Sequence, residues 1–223
     1  MKVRASALGK MMATPRSKGE LLSQTAKSYI KEVVLQDKYG IYKEFNSRYT
    51  DKGNQTEDEA IQLVADVLDL GFVFKNEEKF QNDFVKGTPD VITNDLIIDT
   101  KVSWSASTFP FFEDDLPNTD YYWQMQAYMW LTGKRRALVV YCLINTPYLI
   151  LEDEIRREHW KQNLIDESQE LRAYVEAQHN FDYIPKHERI KQFYVDYNEQ
   201  DIERAKEKIK IGCEMYNNLM GKN

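Results

Sequence analysis

The segment Leu96-Ile97-Ile98-Asp99-Thr100-Lys101-Val102 constrains the fold more than any other part of this chain. Aliphatic residues behind an Asn94-Asp95 turn predict a strand inside a sheet. Residues two apart in a strand share a face, so Asp99 and Lys101 project together while Ile98 and Thr100 take the other side. Charges on an otherwise apolar strand are costly unless they pair or bind metal. Taken alone, an Asp–Lys pair at a sheet surface is the simpler account.

Three other segments change that balance. Gly87-Thr88-Pro89-Asp90 has turn chemistry, and a hairpin there would return Asp90 to the side of Asp99. Two adjacent carboxylates repel, and a divalent cation removes the conflict. Oxygen ligands without a nearby His or Cys favour Mg²⁺ or Mn²⁺ over zinc. Glu57, expected on a first helical turn after Asp51-Lys52-Gly53-Asn54, has two readings: a third carboxylate at the sheet edge, or the partner of Asn54 in a capping box. Gln124 and Tyr128 share a helix face and offer an amide and a hydroxyl to phosphate oxygens, or form a polar stripe.

Hydrophobic periodicity places the remaining elements. Helices are expected over Ala5–Ala13, Leu21–Leu35, Glu57–Leu70, Tyr121–Leu131 (capped by Gly133), Asp153–Gln178 and Gln200–Met220. Strands are expected over Phe72–Phe74, Lys79–Lys86, Asp90–Thr93, Arg136–Ile144 and, as an edge, Lys191–Tyr197, with Ser105–Asn118 a loop. This order describes an α/β protein with a central mixed sheet flanked by helices. No repeat, low-complexity stretch or linker interrupts residues 1–223, so one domain is expected. It divides into a basic helical segment (1–50), a core bearing the acids (51–150), and C-terminal helices with the edge strand (151–223).

Charge and cysteine content narrow the chemistry. The net charge of −6 opposes a nucleic-acid partner at first, but it is unevenly spread. Residues 1–31 carry +6 and the rest −12, so a basic arm on an acidic body suits a local phosphate site, although a solvated helix face explains the arm as well. Two distant cysteines, Cys142 and Cys213, read as buried free thiols and cannot hold an iron–sulfur cluster, which takes about four ligands. No apolar run reaches membrane-span length, and the N-terminal residues lack a secretory pattern, so a cytoplasmic protein without a membrane partner is expected.

Each motif is weak alone, but their order is specific. G-x-x-x-E (Gly53–Glu57), P-D (Pro89-Asp90), D-x-K (Asp99–Lys101) and Q-x-x-x-Y (Gln124–Tyr128) resemble the core of the PD-(D/E)xK nuclease superfamily, in its RecB and lambda-exonuclease branch. The strongest similarity is to the lambda-type phage exonucleases, the YqaJ-like viral recombinases. Gly53–Ala60 resembles that family's G-x-x-x-E-x-x-A helix, Thr88-Pro89-Asp90 its S-P-D, and Tyr122–Gly133 its glutamine-bearing helix. Asp99 stands where the family often has Glu, and only Glu77, Glu78 and Asp83 lie near a further acid that some members carry.

The resemblance implies a restriction-endonuclease-like core, one or two Mg²⁺ ions (Mn²⁺ as substitute), and hydrolysis of linear double-stranded DNA from the 5′ end. Glu57, Asp90, Asp99 and the Thr100 carbonyl would hold metal, with Lys101 and Gln124 completing the catalytic set. Arg4, Ser6, Arg16, Thr88, Gln124 and Tyr128 would bind DNA or its terminal 5′-phosphate. Implied partners are duplex ends, a phage single-strand annealing protein and two further copies in a trimeric ring, in a host bacterial cytoplasm. Alternatives are a RecB-like or restriction-like endonuclease, or a non-catalytic DNA-binding protein of the same fold.

Overall fold

The computed structural model describes residues 1–42 and 47–221; four residues of the expected basic segment, 43–46, lie outside that description. The chain begins with β1 (Val3–Arg4), a 3₁₀ turn at Ala5–Ala7, α1 (Leu8–Met12) and α2 (Gln24–Tyr39). Next come α3 (Arg48–Leu68), β2 (Phe80–Gln81), β3 (Val85–Gly87), β4 (Val91–Ile92) and β5 (Ile97–Val102). α4 (Thr119–Thr132), β6 (Arg136–Cys142), α5 (Tyr148–Lys161), α6 (Gln169–His179), β7 (Ile190–Asp196) and α7 (Glu199–Met220) complete it.

Two mixed sheets replace the expected single one: β1-β3-β2 and β4-β5-β6-β7. Pro89 lies in the break between β3 and β4, where proline has no N–H to give a ladder. The central strand β5 runs parallel to β6, with Asp99 opposite Val139 and Lys101 opposite Tyr141. Its two faces pack differently. Ile97 joins Met125, Met129 and Val139 in one core, while Ile98 joins Ala60, Ile61 and Val64 of α3 in another. The pleat therefore aims Asp99 and Lys101 toward α4 and Thr100 toward α3.

Other expectations are corrected. Asp51-Lys52-Gly53-Asn54 lies inside α3, which starts at a Ser47/Thr50 capping box. The buried stripe of Lys52, Thr56, Ala60, Leu63 and Val64 outweighs the helix penalty of Gly53, about 1 kcal/mol. Glu57 is thus interior to the helix, and its reading as a capping-box partner is excluded. Phe72–Phe74 forms no strand, and Phe72 and Phe74 are exposed. The expected strand over Lys79–Lys86 is a tight hairpin of β2 and β3, turned where Asn82 Oδ1 accepts from the Phe84 and Val85 amides.

The expected long helix over Asp153–Gln178 is two helices. Asn163 adopts φ 54°, His159 accepts a hydrogen bond from the Ser168 amide at 2.9 Å, and Ser168 caps α6. Ile155, Leu171 and Val175 then bury one another in a small separate core. Cys142 is buried as expected, whereas Cys213 is only partly covered; both are free. Among the described residues, no helix is long and apolar enough to cross a membrane.

Candidate active site

Asp99 enters from β5 with no solvent exposure, although a carboxylate there must shed its water. Its Oδ2 pairs with the Lys101 ammonium. Gln124 of α4 approaches Oδ1 through Nε2 at 3.4 Å, and the same amide donates to the Tyr128 hydroxyl at 3.1 Å. Asp90 arrives from the turn before β4. Its Oδ2 accepts from the Thr100 amide at 3.0 Å, an anchoring of the P-D turn onto the D-x-K strand.

Asn76, which no motif signalled, fixes that turn from outside. Its amide donates to the Asp90 carbonyl at 2.7 Å and its side chain to the Pro89 carbonyl at 3.0 Å. Gly87 lets β3 pass tightly against α4: a Cβ there would lie 2.7 Å from the Tyr128 ring and 2.8 Å from Ala5.

The electrostatics follow from crowding two acids together, one of them fully buried. Burial raises the Asp90 carboxyl well above the usual range, and Asp99 adds to this against the pull of Lys101. Burial likewise raises Asp99, opposed by Lys101. Burial alone would lower the Lys101 ammonium, but Asp99 and Asp90 outweigh it and hold the group above its ordinary value. Lys101 therefore stays charged at neutral pH, and its ammonium also lies 4.8 Å from the centre of the Tyr121 ring.

A cavity of about 490 Å³ opens here, bordered by Glu57, Asp90, Thr100, Lys101, Tyr121 and Tyr141, with Tyr49 and Trp104 at one side. Asp99 lies behind this lining. Glu57 borders the cavity but is held by Lys75, whose Nζ donates to Oε2 at 2.7 Å. Among the described residues, no three His, Cys, Asp or Glu side chains converge into a ready metal-binding group. Two carboxylates held close together, Asp99 buried and Asp90 half-buried, nevertheless fit a hard divalent cation, which relieves their repulsion. Lys75 occupies one carboxylate oxygen of Glu57, which leaves Oε1 to join that pair.

The expected phosphate-binding residues divide. Arg4, Ser6, Thr88 and Tyr128 border a second cavity of about 350 Å³, with Lys79, Gln81 and Lys86 added by the hairpin. Arg16 is not with them; it borders a third cavity alongside Ser17, Glu20 and Gln24. Gln124 is buried behind Tyr128, out of the second cavity's lining. Lys79 and Lys86 gave no sequence signal, because only the β1–β3 pairing sets Lys86 opposite Arg4 and only the β2–β3 hairpin carries Lys79 to the same cavity.

No family model matches the chain, and no curated protein matches it. Solved structures do. A phage-related exonuclease from Haemophilus somnus 129PT superposes with a TM-score of 0.79 at 29% identity, over 100% of this chain and 96% of that one. An alkaline exonuclease from Laribacter hongkongensis gives a TM-score of 0.67 at 15% identity, over 99% and 90%. The same enzyme in complex with dAMP gives 0.64 at 15% identity. The second and third share the fold, and the first adds sequence likeness over nearly the full length of both proteins. Together they make this chain, along its whole length, a structural relative of the phage-related and alkaline exonucleases.

Proposed function

We propose that the protein is a divalent-metal-dependent exonuclease that hydrolyses linear double-stranded DNA from the 5′ end. The observation that carries this reading is the buried Asp99 beside a half-buried Asp90 and a charged Lys101, a combination that folding alone disfavours and a cation would stabilise. Asp90, Asp99, the Thr100 carbonyl and Glu57 would hold Mg²⁺ or Mn²⁺. Bound there, the metal supplies charge stabilisation to the phosphate under attack and acidifies water. In the reaction, water attacks phosphorus, the bond to the 3′ oxygen breaks, and that oxygen leaves with a proton as a 3′ hydroxyl.

The chain's own groups divide the remaining work. Lys101, paired with Asp99 at the cavity, would donate to a non-bridging phosphate oxygen or orient the attacking water. Gln124 joins Asp99 to Tyr128 and so fixes the carboxylate's orientation. Arg4, Ser6, Thr88, Lys79 and Lys86 border a basic cavity suited to a terminal 5′-phosphate. The neighbour crystallised with dAMP lends this a nucleotide-binding precedent on the same fold. On this reading the partners are duplex ends, two further copies closing a ring, and an annealing protein that takes the exposed strand.

The experiment is digestion with Mg²⁺ of linear, nicked and closed circular duplexes with labelled ends. Loss of linear DNA from the 5′ end with closed circles spared is expected. Cutting of closed circles would make the protein an endonuclease, and no cutting in any divalent metal would remove the hydrolytic reading.

A further inference from the structure

We propose that Tyr49 and Trp104 form a stacking subsite for an unpaired nucleobase next to the scissile phosphate; the identity of the ligand rests on the nuclease reading above. Tyr49 lies on the first turn of α3, and Trp104 follows β5 just after Lys101. Both border the cavity that contains Asp90, Glu57 and Lys101. Their rings meet edge to face, with centroids 5.0 Å apart and planes at 70°. Tyr49 is 51% exposed, so core packing does not account for its position.

The pair is held by polar groups from several elements. The Arg48 guanidinium lies 5.0 Å from the Tyr49 ring centre and 4.9 Å from that of Trp104, and it donates to the Tyr49 hydroxyl at 3.0 Å. Arg48 is itself gripped by Glu154, a buried carboxylate of α5. Lys52, fully buried, donates from Nζ to the Trp104 carbonyl at 2.9 Å. The His179 ring packs edge-on against Trp104 at 5.0 Å and is fixed by Thr146 Oγ1 at 2.9 Å. A partly buried ion pair adds little net stability over apolar packing, so its effect here is to orient what it touches.

What it orients suits a base. A strand whose phosphate lies at Asp90 and Lys101 brings its flanking nucleotides into the same cavity. Aromatic stacking accepts every base because every base has a π-face, and an arginine over the rings adds a cation–π contribution. The 490 Å³ volume falls within the ordinary ligand-pocket range of about 300–1,000 Å³. A base inside the duplex has both faces covered by its stacked neighbours, so the subsite takes a nucleotide unstacked and splayed from the duplex at the end being cut.

The test uses duplex ends with a single abasic residue at each of the first three positions of either strand. Binding is read by fluorescence anisotropy in EDTA, and initial cleavage rates are read separately in Mg²⁺. At one position, the wild type is expected to bind the base-bearing end about tenfold better than the abasic one. Tyr49→Leu should reduce that ratio to about twofold or less, while Tyr49→Phe, which keeps the ring, should retain it. Equal binding of abasic and base-bearing ends by the wild type overturns the subsite, and so does an unchanged ratio in Tyr49→Leu. A wild type that discriminates in EDTA yet never cuts in Mg²⁺ keeps the subsite and removes the hydrolytic reading.

Discussion

One short segment contributes to both the cavity bordered by Asp90 and the cavity bordered by Arg4: Thr88 lines the basic cavity and Asp90 the acidic one. Gly87-Thr88-Pro89-Asp90 thus partitions two chemistries within a tetrapeptide, helped by a proline that ends one sheet before the next begins. The two sides also differ in burial. Asp99 has no solvent exposure, whereas Arg4, Ser6, Lys79 and Lys86 are exposed. Water screens the exposed charges and not the buried ones, so equal changes in sequence should have unequal effects.

The acidic side should give the largest effects. Asp90→Ala and Lys101→Ala are each expected to lower Mg²⁺-dependent cleavage by at least a thousandfold, on the order of 4 kcal/mol of barrier, with unchanged circular dichroism. Asp90→Asn should be equally inactive yet more stable than wild type in EDTA. The folded-state pKa of Asp90 lies above its unfolded value, so the folded protein favours the protonated form. Stability is therefore lost as pH rises through that folded value, and asparagine removes the loss, by about 1–3 kcal/mol at pH 8. A melting temperature for Asp90→Asn below wild type at pH 8 would refute the acid-pair account.

Glu57→Gln separates the acid pair from its third candidate. Because α3 is capped at Ser47, this change touches no helix terminus. A loss of tenfold or more in metal affinity is expected if the carboxylate joins the pair, read by calorimetric Mn²⁺ titration. Affinity equal to wild type would leave Glu57 as no more than the partner of Lys75.

The basic side should respond more weakly and to salt. Arg4→Ala is expected to lower the preference for 5′-phosphorylated over unphosphorylated ends by about tenfold at low salt, and by less at high salt. Arg16→Ala, in its separate cavity, should leave that preference alone. If both variants behave alike, the division between cavities has no functional meaning.

The smallest effect concerns stability alone. Burial lowers the Lys52 ammonium to about 7, with Glu59 opposing. The unfolded chain binds that proton more tightly, so stability is depressed below about pH 7 and recovers toward pH 10.5. Lys52→Met should remove this slope, so that between pH 7 and 9.5 the wild type gains roughly 1–3 kcal/mol more than the variant. Parallel melting curves at the two pH values would show that Lys52 does not titrate there.

Sequence by itself determined what is local and periodic in this protein. β5 with Asp99 and Lys101 on one face, α4 ending at Gly133, β6, the edge strand β7 and the closing α7 all follow from side-chain period and cap chemistry. The order of Glu57, Asp90, Asp99, Lys101 and Gln124 was legible too, because ordered residue types survive without coordinates. Tertiary structure decided the rest, where packing overrode local preference. Burial of Lys52 and Thr56 carried α3 through a glycine turn signal, and the Ile155–Leu171–Val175 core folded one expected helix into two. The Lys75 grip on Glu57, the Asn76 clamp on the P-D turn and the separation of Arg16 from Arg4 all join residues distant in sequence. No spacing rule reaches such pairs; they exist only once the two sheets and α3 and α4 have packed around β5.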